Sequence, residues 1–88
     1  MLRDMEYVYA VYQELSFSKA AQRLFITQPA LSNKVKKIEL QIHMPLFDRS
    51  TTPIGLTAAG RAYISAVEKI MAVERELEQR LSELSAER

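Results

Sequence analysis

The fold is decided by residues 16–42, which read SFSKAAQRLFITQPALSNKVKKIELQI. A serine, Ser16 or Ser18, can cap a short helix that runs through Phe25, because a serine oxygen accepts a hydrogen bond from a free N–H of the first turn. Thr27 can cap the next helix, since the proline two residues later belongs in a first turn, where its missing N–H is not needed. Two short helices joined by a tight turn are typical of a helix-turn-helix.

The second of these helices has two different faces on a helical wheel. One face is apolar and is expected to lie on the core; it consists of Leu31, Val35, Ile38 and Ile42. The other is small, polar and basic; it carries Pro29, Asn33 and Lys36, flanked by Ala30, Ser32, Lys34 and Lys37. An α-helix fits the major groove of DNA, where small or polar residues approach base edges and lysines reach phosphates. This helix therefore has the chemistry of a DNA recognition helix.

The flanking sequence adds one helix before this motif, and a hairpin and a long helix after it. Residues 2–14 place apolar side chains on one helical stripe. Residues 46–49 and 54–57 predict two short strands joined by the polar loop 50–53, in a region where prolines and a glycine exclude a long helix. A threonine then caps a last helix from residue 58 to about 84. The predicted fold class is mainly α: a winged helix-turn-helix of three helices and a two-stranded wing, followed by a long linker helix.

Length and composition restrict the function. The 88 residues are enough for one modest core. The chain has no cysteine and one histidine, which excludes disulfides, cysteine nucleophiles and thiolate or histidine metal clusters. The sequence shows neither a membrane-spanning apolar run nor a signal pattern, so we expect a cytoplasmic protein without a membrane partner. It also lacks a constellation of nucleophile, base and oxyanion donors, and we do not expect an enzyme.

Charge is uneven along the chain, although the net charge is only +1. Residues 16–61 carry seven basic and two acidic side chains, whereas residues 1–15 and 62–88 each have a net charge of −2. A basic block between acidic flanks is the expected footprint of a polyanionic partner.

Several blocks of sequence resemble, in order and spacing, the N-terminal domain of LysR-type transcriptional regulators. They are SFSKAA at 16–21, Leu24, TQPALS at 27–32, IE at 38–39, LFDR at 46–49 and LTAAG at 56–60. The resemblance covers essentially the whole chain and implies a bacterial winged helix-turn-helix with a linker helix that dimerises. In that family an effector-binding domain follows, so the chain looks like an excised DNA-binding fragment. A small-molecule effector would belong to that further domain, and no cofactor is expected in the fragment.

The predicted function is sequence-specific binding of double-stranded DNA as a homodimer, with candidate contacts of two kinds. Base contacts are assigned to Pro29, Ala30, Ser32 and Asn33, to which the family motif adds Gln28. Phosphate contacts are assigned to Ser18, Lys19, Thr27, Lys34, Lys36, Lys37, Arg49, Thr51 and Thr52. The alternative is a winged-helix protein–protein interaction module that uses the same helix against another protein.

The sequence departs from the family pattern at two helix ends and at the tip of the wing. The family usually has glycine where Leu15 and His43 stand, and glycine there supplies a left-handed residue after a helix. The family's wing often carries a basic residue and a glycine near Thr52 and Pro53. Their absence leaves Arg49 as the cation nearest to the wing tip.

The last helix is predicted to form the dimer. At about 40 Å it is longer than a core of this size requires, and its apolar stripe would otherwise face water. The residues of the stripe are Val67, Ile70, Val73, Leu77, Leu81 and Leu84. The resemblance implies that two such helices pack antiparallel and direct the domains to a pseudo-palindromic site. The predicted organisation is a DNA-binding domain at 1–57, with its helix-turn-helix at about 17–36, and a linker helix for dimerisation at 58–88.

Five further side chains have a structural interpretation. Tyr7, Tyr9 and Tyr12 are assigned to packing rather than to stacking on bases. Glu39 is expected to pair with a nearby cation or to contribute to packing, because a second carboxylate for acid catalysis is absent. Leu40 lies on the polar side of its helix and is expected to pack against the wing or the long helix.

Overall fold

Four helices and a two-stranded sheet form the protein in the computed structural model, which describes residues 2–87. Met1 and Arg88, the terminal residues of the two predicted segments, lie outside the described residues. In chain order the elements are α1 (Leu2–Glu14), α2 (Phe17–Arg23), α3 (Gln28–Ile42), β1 (Phe47–Asp48), β2 (Gly55–Leu56) and α4 (Ala58–Ala86). The strands pair antiparallel, with Phe47 opposite Leu56. The predicted fold class, a winged helix-turn-helix with a long last helix, is confirmed.

Hydroxyl caps begin three of the helices. The side-chain oxygens of Ser16, Thr27 and Thr57 accept hydrogen bonds from the N–H three residues further on, at 3.1, 3.2 and 3.0 Å. Ser16 rather than Ser18 is thus the cap of α2. This helix ends at Arg23 rather than at Phe25, because Phe25 has a left-handed backbone with φ of 57°.

The core lies where α1, α2 and α3 meet. Its largest fully buried side chains are Leu31, Leu46, Val8, Val11 and Val35. The two alanines of α2, Ala20 and Ala21, are also buried and allow this short helix to approach its neighbours closely. Leu31, Val35 and Ile38 are the buried residues of α3, and Ile42 packs partly buried against them. The predicted inner face of α3 is therefore confirmed.

The start of α4 is packed tightly against the entry to the wing at Gly60. A β-carbon on this residue would overlap the carbonyl oxygen of Leu46 and lie 2.9 Å from Cδ2 of Leu56. The same carbonyl accepts the N–H of Thr57 at 3.1 Å, and the Thr57 hydroxyl donates to the carbonyl of Pro45 at 2.6 Å. The backbones of the wing and of α4 are thereby held together, and only glycine fits between them.

Replacing Gly60 with alanine is expected to destabilise the domain by at least about 2 kcal/mol, because the new methyl group meets backbone that is itself hydrogen-bonded. Gly55→Ala is the matched control, since a β-carbon there has Thr51 Oγ1 at 3.9 Å as its nearest neighbour, an ordinary contact. Urea unfolding of both variants measures the difference. Equal urea midpoints for the two variants would contradict this prediction, because they would show that the backbone around Gly60 accommodates a methyl group without loss of stability.

Two helices end at residues with left-handed backbones. Leu15, after α1, has φ of 49°, and His43, after α3, has φ of 59°. Both are positions where the family pattern has glycine, which adopts this conformation without a steric penalty. The expectation that the fold needs a left-handed residue at these helix ends is confirmed, although this chain meets it with larger side chains.

The last helix, α4, has 29 residues and a length of about 43 Å. Its first part packs on the domain through Ile64 and Val67, which are 3% and 2% exposed. The prediction that Val67 faces outward with the rest of the stripe is therefore wrong, because its own domain covers it. The rest of the helix is exposed from residue 72 to residue 87. None of the described helices is both long and apolar enough to span a membrane.

Candidate nucleic-acid interface

The outer face of α3 is open to solvent along its first three turns. Gln28, Pro29 and Asn33 are exposed, whereas Ala30 and Ser32 are half-buried at its edges. The five predicted base contacts thus lie together at the start of one helix, opposite its buried face. Small and amide side chains at this place leave room for a base edge and offer it hydrogen bonds.

Four lysines surround this face. Lys19 on α2 and Lys34, Lys36 and Lys37 on α3 are all exposed. In the part of the chain that the structure describes, the ion pairs involve arginines only, so these ammonium groups have no carboxylate partner. Lys34 instead lies over the ring of Tyr7, with its Nζ 4.9 Å from the ring centroid. The lysines are therefore available to phosphates, which are the groups such cations bind most readily.

The N-terminal ends of α2 and α3 carry two more predicted phosphate contacts. Ser18 is exposed in the first turn of α2, and Thr27 is exposed at the start of α3. The oxygen of Thr27 accepts the N–H of Ala30, and its proton has no acceptor among the described residues, so it can donate to a phosphate. Both residues lie at the positive ends of their helices, where an anion is favoured.

Arg49 joins the wing to α3. Its Nη1 donates to Oγ of Ser32 at 3.1 Å, and its Nη2 donates to Oε1 of Glu39 at 3.4 Å. The guanidinium also lies over the ring of Phe17, at 4.2 Å from the centroid. The other oxygen of Glu39 accepts the N–H of Leu46 at 2.7 Å. The interpretation of Glu39 as the partner of a cation is confirmed, and the predicted phosphate contact, Arg49, has three partners within the chain.

The tip of the wing is polar and lacks a free cation among its residues 50–53. The carboxylate of Asp48 accepts hydrogen bonds from the hydroxyl and the N–H of Ser50, at 2.5 and 3.0 Å, and these bonds lower the pKa of Asp48. The hydroxyl of Thr51 donates to the carbonyl of Pro53 at 3.0 Å, and Thr52 is exposed. Thr52 can therefore offer a phosphate a neutral hydroxyl group only, and Thr51 can do so only by giving up its bond to Pro53.

The tyrosines of α1 pack as expected. Tyr7, Tyr9 and Tyr12 are half-buried against the core, and the rings of Tyr9 and Tyr12 lie 5.8 Å apart. The hydroxyl of Tyr9 donates to Glu68 of α4 at 3.5 Å. These rings hold α1 in place, and the ring of Tyr7 also borders the recognition face through its contact with Lys34.

The sequence places one exposed apolar side chain, Leu40, incorrectly and makes no prediction for a second, Phe25. Leu40 is 73% exposed, and the expectation that it packs against the wing or α4 is wrong, because the wing reaches α3 through the neighbouring Glu39. Phe25 is 93% exposed in the turn between α2 and α3, where its left-handed backbone turns the ring away from the core. The helical wheel does place Leu40 on the polar side of α3, whereas the exposure of Phe25 depends on the conformation of the turn.

A second exposed surface lies on the far part of α4. Val73, Leu77, Leu81 and Leu84 are 64, 56, 55 and 62% exposed. Ile70 is half-buried and lines a groove between α4 and α1, together with Met5 and Tyr9. We call Ile70, Val73, Leu77, Leu81 and Leu84 the α4 stripe.

The structure contains a capped helix pair, and its second helix presents a small, polar and basic face beside a wing. These features together define the class of winged helix-turn-helix DNA-binding domains. The model of the family described as "Bacterial regulatory helix-turn-helix protein, lysR family" matches residues 2–61. The chain belongs to this family, and the resemblance found in the sequence is confirmed.

Similar regulators occur in several bacteria. The HTH-type transcriptional regulator BudR of Klebsiella aerogenes is 42% identical over 72 residues, which are 82% of this chain and 50% of BudR. The HTH-type transcriptional regulator CbbR of Rhodospirillum rubrum is 37% identical over 87 residues, 99% of this chain and 29% of CbbR. The chain thus spans half or less of the length of these relatives. Because they are transcriptional regulators, the prediction that the chain is not an enzyme is confirmed.

A solved structure shares the whole fold. The BenM DNA-binding domain in complex with benA site 1 DNA superposes with a TM-score of 0.86 at 28% identity, over 97% of this chain and 96% of that chain. This likeness extends over the winged helix-turn-helix and α4 together. The chain is accordingly a LysR-type helix-turn-helix DNA-binding domain.

Proposed function

We propose that the protein binds a specific sequence of double-stranded DNA as a homodimer, as the DNA-binding part of a LysR-type transcriptional regulator. The observation that carries this proposal is the outer face of α3, where small and polar side chains are surrounded by lysines that have no carboxylate partner in the described part of the chain. The proposal is supported by the related BenM DNA-binding domain, whose structure was solved in complex with DNA.

The proposed contacts follow from the position of each side chain. Base edges are contacted by Gln28, Pro29, Ala30, Ser32 and Asn33, because these residues share the open start of α3. Phosphates are contacted by Ser18, Lys19, Thr27, Lys34, Lys36, Lys37, Thr51 and Thr52, which lie around that face or on the wing. Arg49, predicted as a phosphate contact, is bonded to Ser32, which is one of the base contacts. The same face suits an apolar groove of another protein poorly, and we therefore prefer DNA to a protein partner.

We propose that the α4 stripe is the dimer interface. Four large apolar side chains, more than half exposed, follow one face of a helix that extends away from its domain. An exposed apolar surface of this length usually marks an interface, and a second copy offers the same surface. In an antiparallel pair the two recognition helices enter successive major grooves, so that the DNA site is pseudo-palindromic.

Substitutions on the two parts of the recognition face are expected to differ in kind. Lys36→Ala or Lys37→Ala should weaken binding to all duplexes about equally, because a phosphate contact carries no sequence information. Gln28→Ala or Asn33→Ala should cost roughly 1–3 kcal/mol on the preferred site and relax the preference at particular base pairs. Competition binding with a selected genomic site and a random duplex measures both effects.

The matched control for the amide substitutions is Gln41→Ala, which removes an exposed amide from the same helix, about 20 Å from Gln28 and about 12 Å from Asn33 along its axis. It is expected to leave both affinity and preference unchanged. If the lysine and amide variants behave alike on specific and random duplexes, the reading face has been assigned to the wrong residues.

A further inference from the structure

Arg49 is held in one orientation from three sides. Ser32 and Glu39 lie two helical turns apart on α3 and accept from its Nη1 and Nη2. The ring of Phe17 supports the guanidinium from α2. Glu39 is itself fixed by the N–H groups of Leu46 and Phe47, at 2.7 and 3.5 Å. Because the guanidinium is held in this way, it also restrains the orientation of the side chains to which it donates, Ser32 and Glu39.

The direction of the hydrogen bond to Ser32 has a chemical consequence. A guanidinium has donors only, so the oxygen of Ser32 is the acceptor in this bond. A hydroxyl has a single proton, and among the described residues this proton has no acceptor within the chain. Donation from Arg49 also polarises the hydroxyl, which makes it a better donor. The Ser32 hydroxyl is therefore set to donate outward, at the edge of the recognition face.

The charge of Arg49 also favours a role within the protein over a phosphate contact. Its guanidinium is paired with the Glu39 carboxylate, whose side chain is only 15% exposed, whereas the lysines around α3 have no such partner within residues 2–87. A cation already neutralised by a half-enclosed carboxylate gains less from a phosphate than a free one does.

On the basis of the proposed DNA binding, we infer that Arg49 is a positioning residue that fixes the Ser32 hydroxyl as a hydrogen-bond donor to a base edge. In the major groove adenine, guanine and thymine each present an acceptor, whereas cytosine presents only the amino group, a donor. Ser32 therefore favours a base that presents an acceptor over cytosine. Without the bond from Arg49, the hydroxyl can rotate to donate to the helix backbone, and both lone pairs of its oxygen are then open to the amino group of cytosine.

The test compares Arg49→Lys with Ser32→Ala on a footprinted genomic site that is varied to all four base pairs at each position. Lysine keeps the charge but loses the planar pair of donors that spans Ser32 and Glu39. Both variants should lose roughly 2- to 10-fold of the discrimination against cytosine at the same base pair, as expected for one hydrogen bond. Arg49→Lys should change nothing further when Ser32 is already alanine.

The matched control is Arg61→Lys, because Arg61 also donates from the neighbourhood of the wing, to the carbonyl of Leu56 at 3.3 Å. It should leave the discrimination intact. Thermal unfolding verifies that each variant folds. Glu39→Gln is a second way to free Arg49, since it keeps an oxygen for the Leu46 N–H but removes the charge that binds the guanidinium. It should weaken the discrimination against cytosine at the same base pair.

Two results would overturn the inference. One is that Arg49→Lys keeps the full preference while Arg49→Gln weakens all duplexes equally, as a phosphate contact would. The other is that cytosine is the preferred base at the position affected by Ser32→Ala. Both presuppose that the unmodified protein binds its site specifically. If it binds no duplex, the proposed function itself fails, and this outcome is distinguishable from the other two.

Discussion

Replacing Leu77 with glutamate is expected to convert the protein from a dimer to a monomer and to weaken binding to a two-half-site duplex by about 10²- to 10⁴-fold. Leu77 is 56% exposed at the centre of the α4 stripe, so a charge there costs the single chain little but repels its counterpart in a dimer. The loss in affinity has this size because the second half-site no longer binds at a high effective concentration. Ile70→Glu is expected to act in the same direction.

Sedimentation at tens of micromolar, with binding to one and to two half-sites, measures the effect of Leu77→Glu. The control is Gln79→Glu, which adds the same charge about 200° around α4 from Leu77, where Gln79 bonds only to Glu83 among the described residues. It should remain dimeric. The dimer would be disproved if the unmodified protein sedimented as a monomer and bound a single half-site as tightly as a full site.

The starts of α2, α3 and α4 could be predicted because their signals are local. The oxygens of Ser16, Thr27 and Thr57 bond to N–H groups three residues away, so the sequence contains both partners of each bond. The strands could be located but are shorter than predicted, with Phe47–Asp48 and Gly55–Leu56 as the paired residues.

Contacts between elements that are distant in sequence could not be predicted. The bond from Arg49 to Ser32 joins residues 17 positions apart and depends on how the wing docks on α3. Periodicity likewise assigns Val67 and Leu77 to one stripe, although α4 leaves the domain between them. Val67 is 2% exposed and Leu77 is 56% exposed, because only the first part of α4 lies against the core.

The position of the candidate site was nevertheless predictable, because it depends on one helix. The buried residues Leu31, Val35 and Ile38 define the inner face of α3, and the spacing of a helix then places Asn33 and Lys36 outside. What the sequence could not show is which of the cations around this face are free. Lys36 has no carboxylate partner among the described residues, whereas Arg49 is paired with Glu39.

The affinity for duplex DNA is expected to fall steeply as salt is raised. With about 4–6 phosphate contacts in each protomer, the slope of log affinity against log salt should be several units, and roughly 10³-fold or more should be lost between about 50 and 200 mM. The exposed lysines of the recognition face cause this dependence, because each displaces condensed counterions from the DNA. Arg75→Gln, which removes an exposed cation from α4 far from this face, should leave the slope unchanged.

The central claim, that the lysine-surrounded face of α3 binds DNA, is tested most directly by this salt titration on a footprinted genomic fragment. The account predicts a slope of several units for the unmodified protein and a smaller one for Lys36→Ala. A slope near zero, or one that Lys36→Ala leaves unchanged while Arg75→Gln reduces it, would contradict the account.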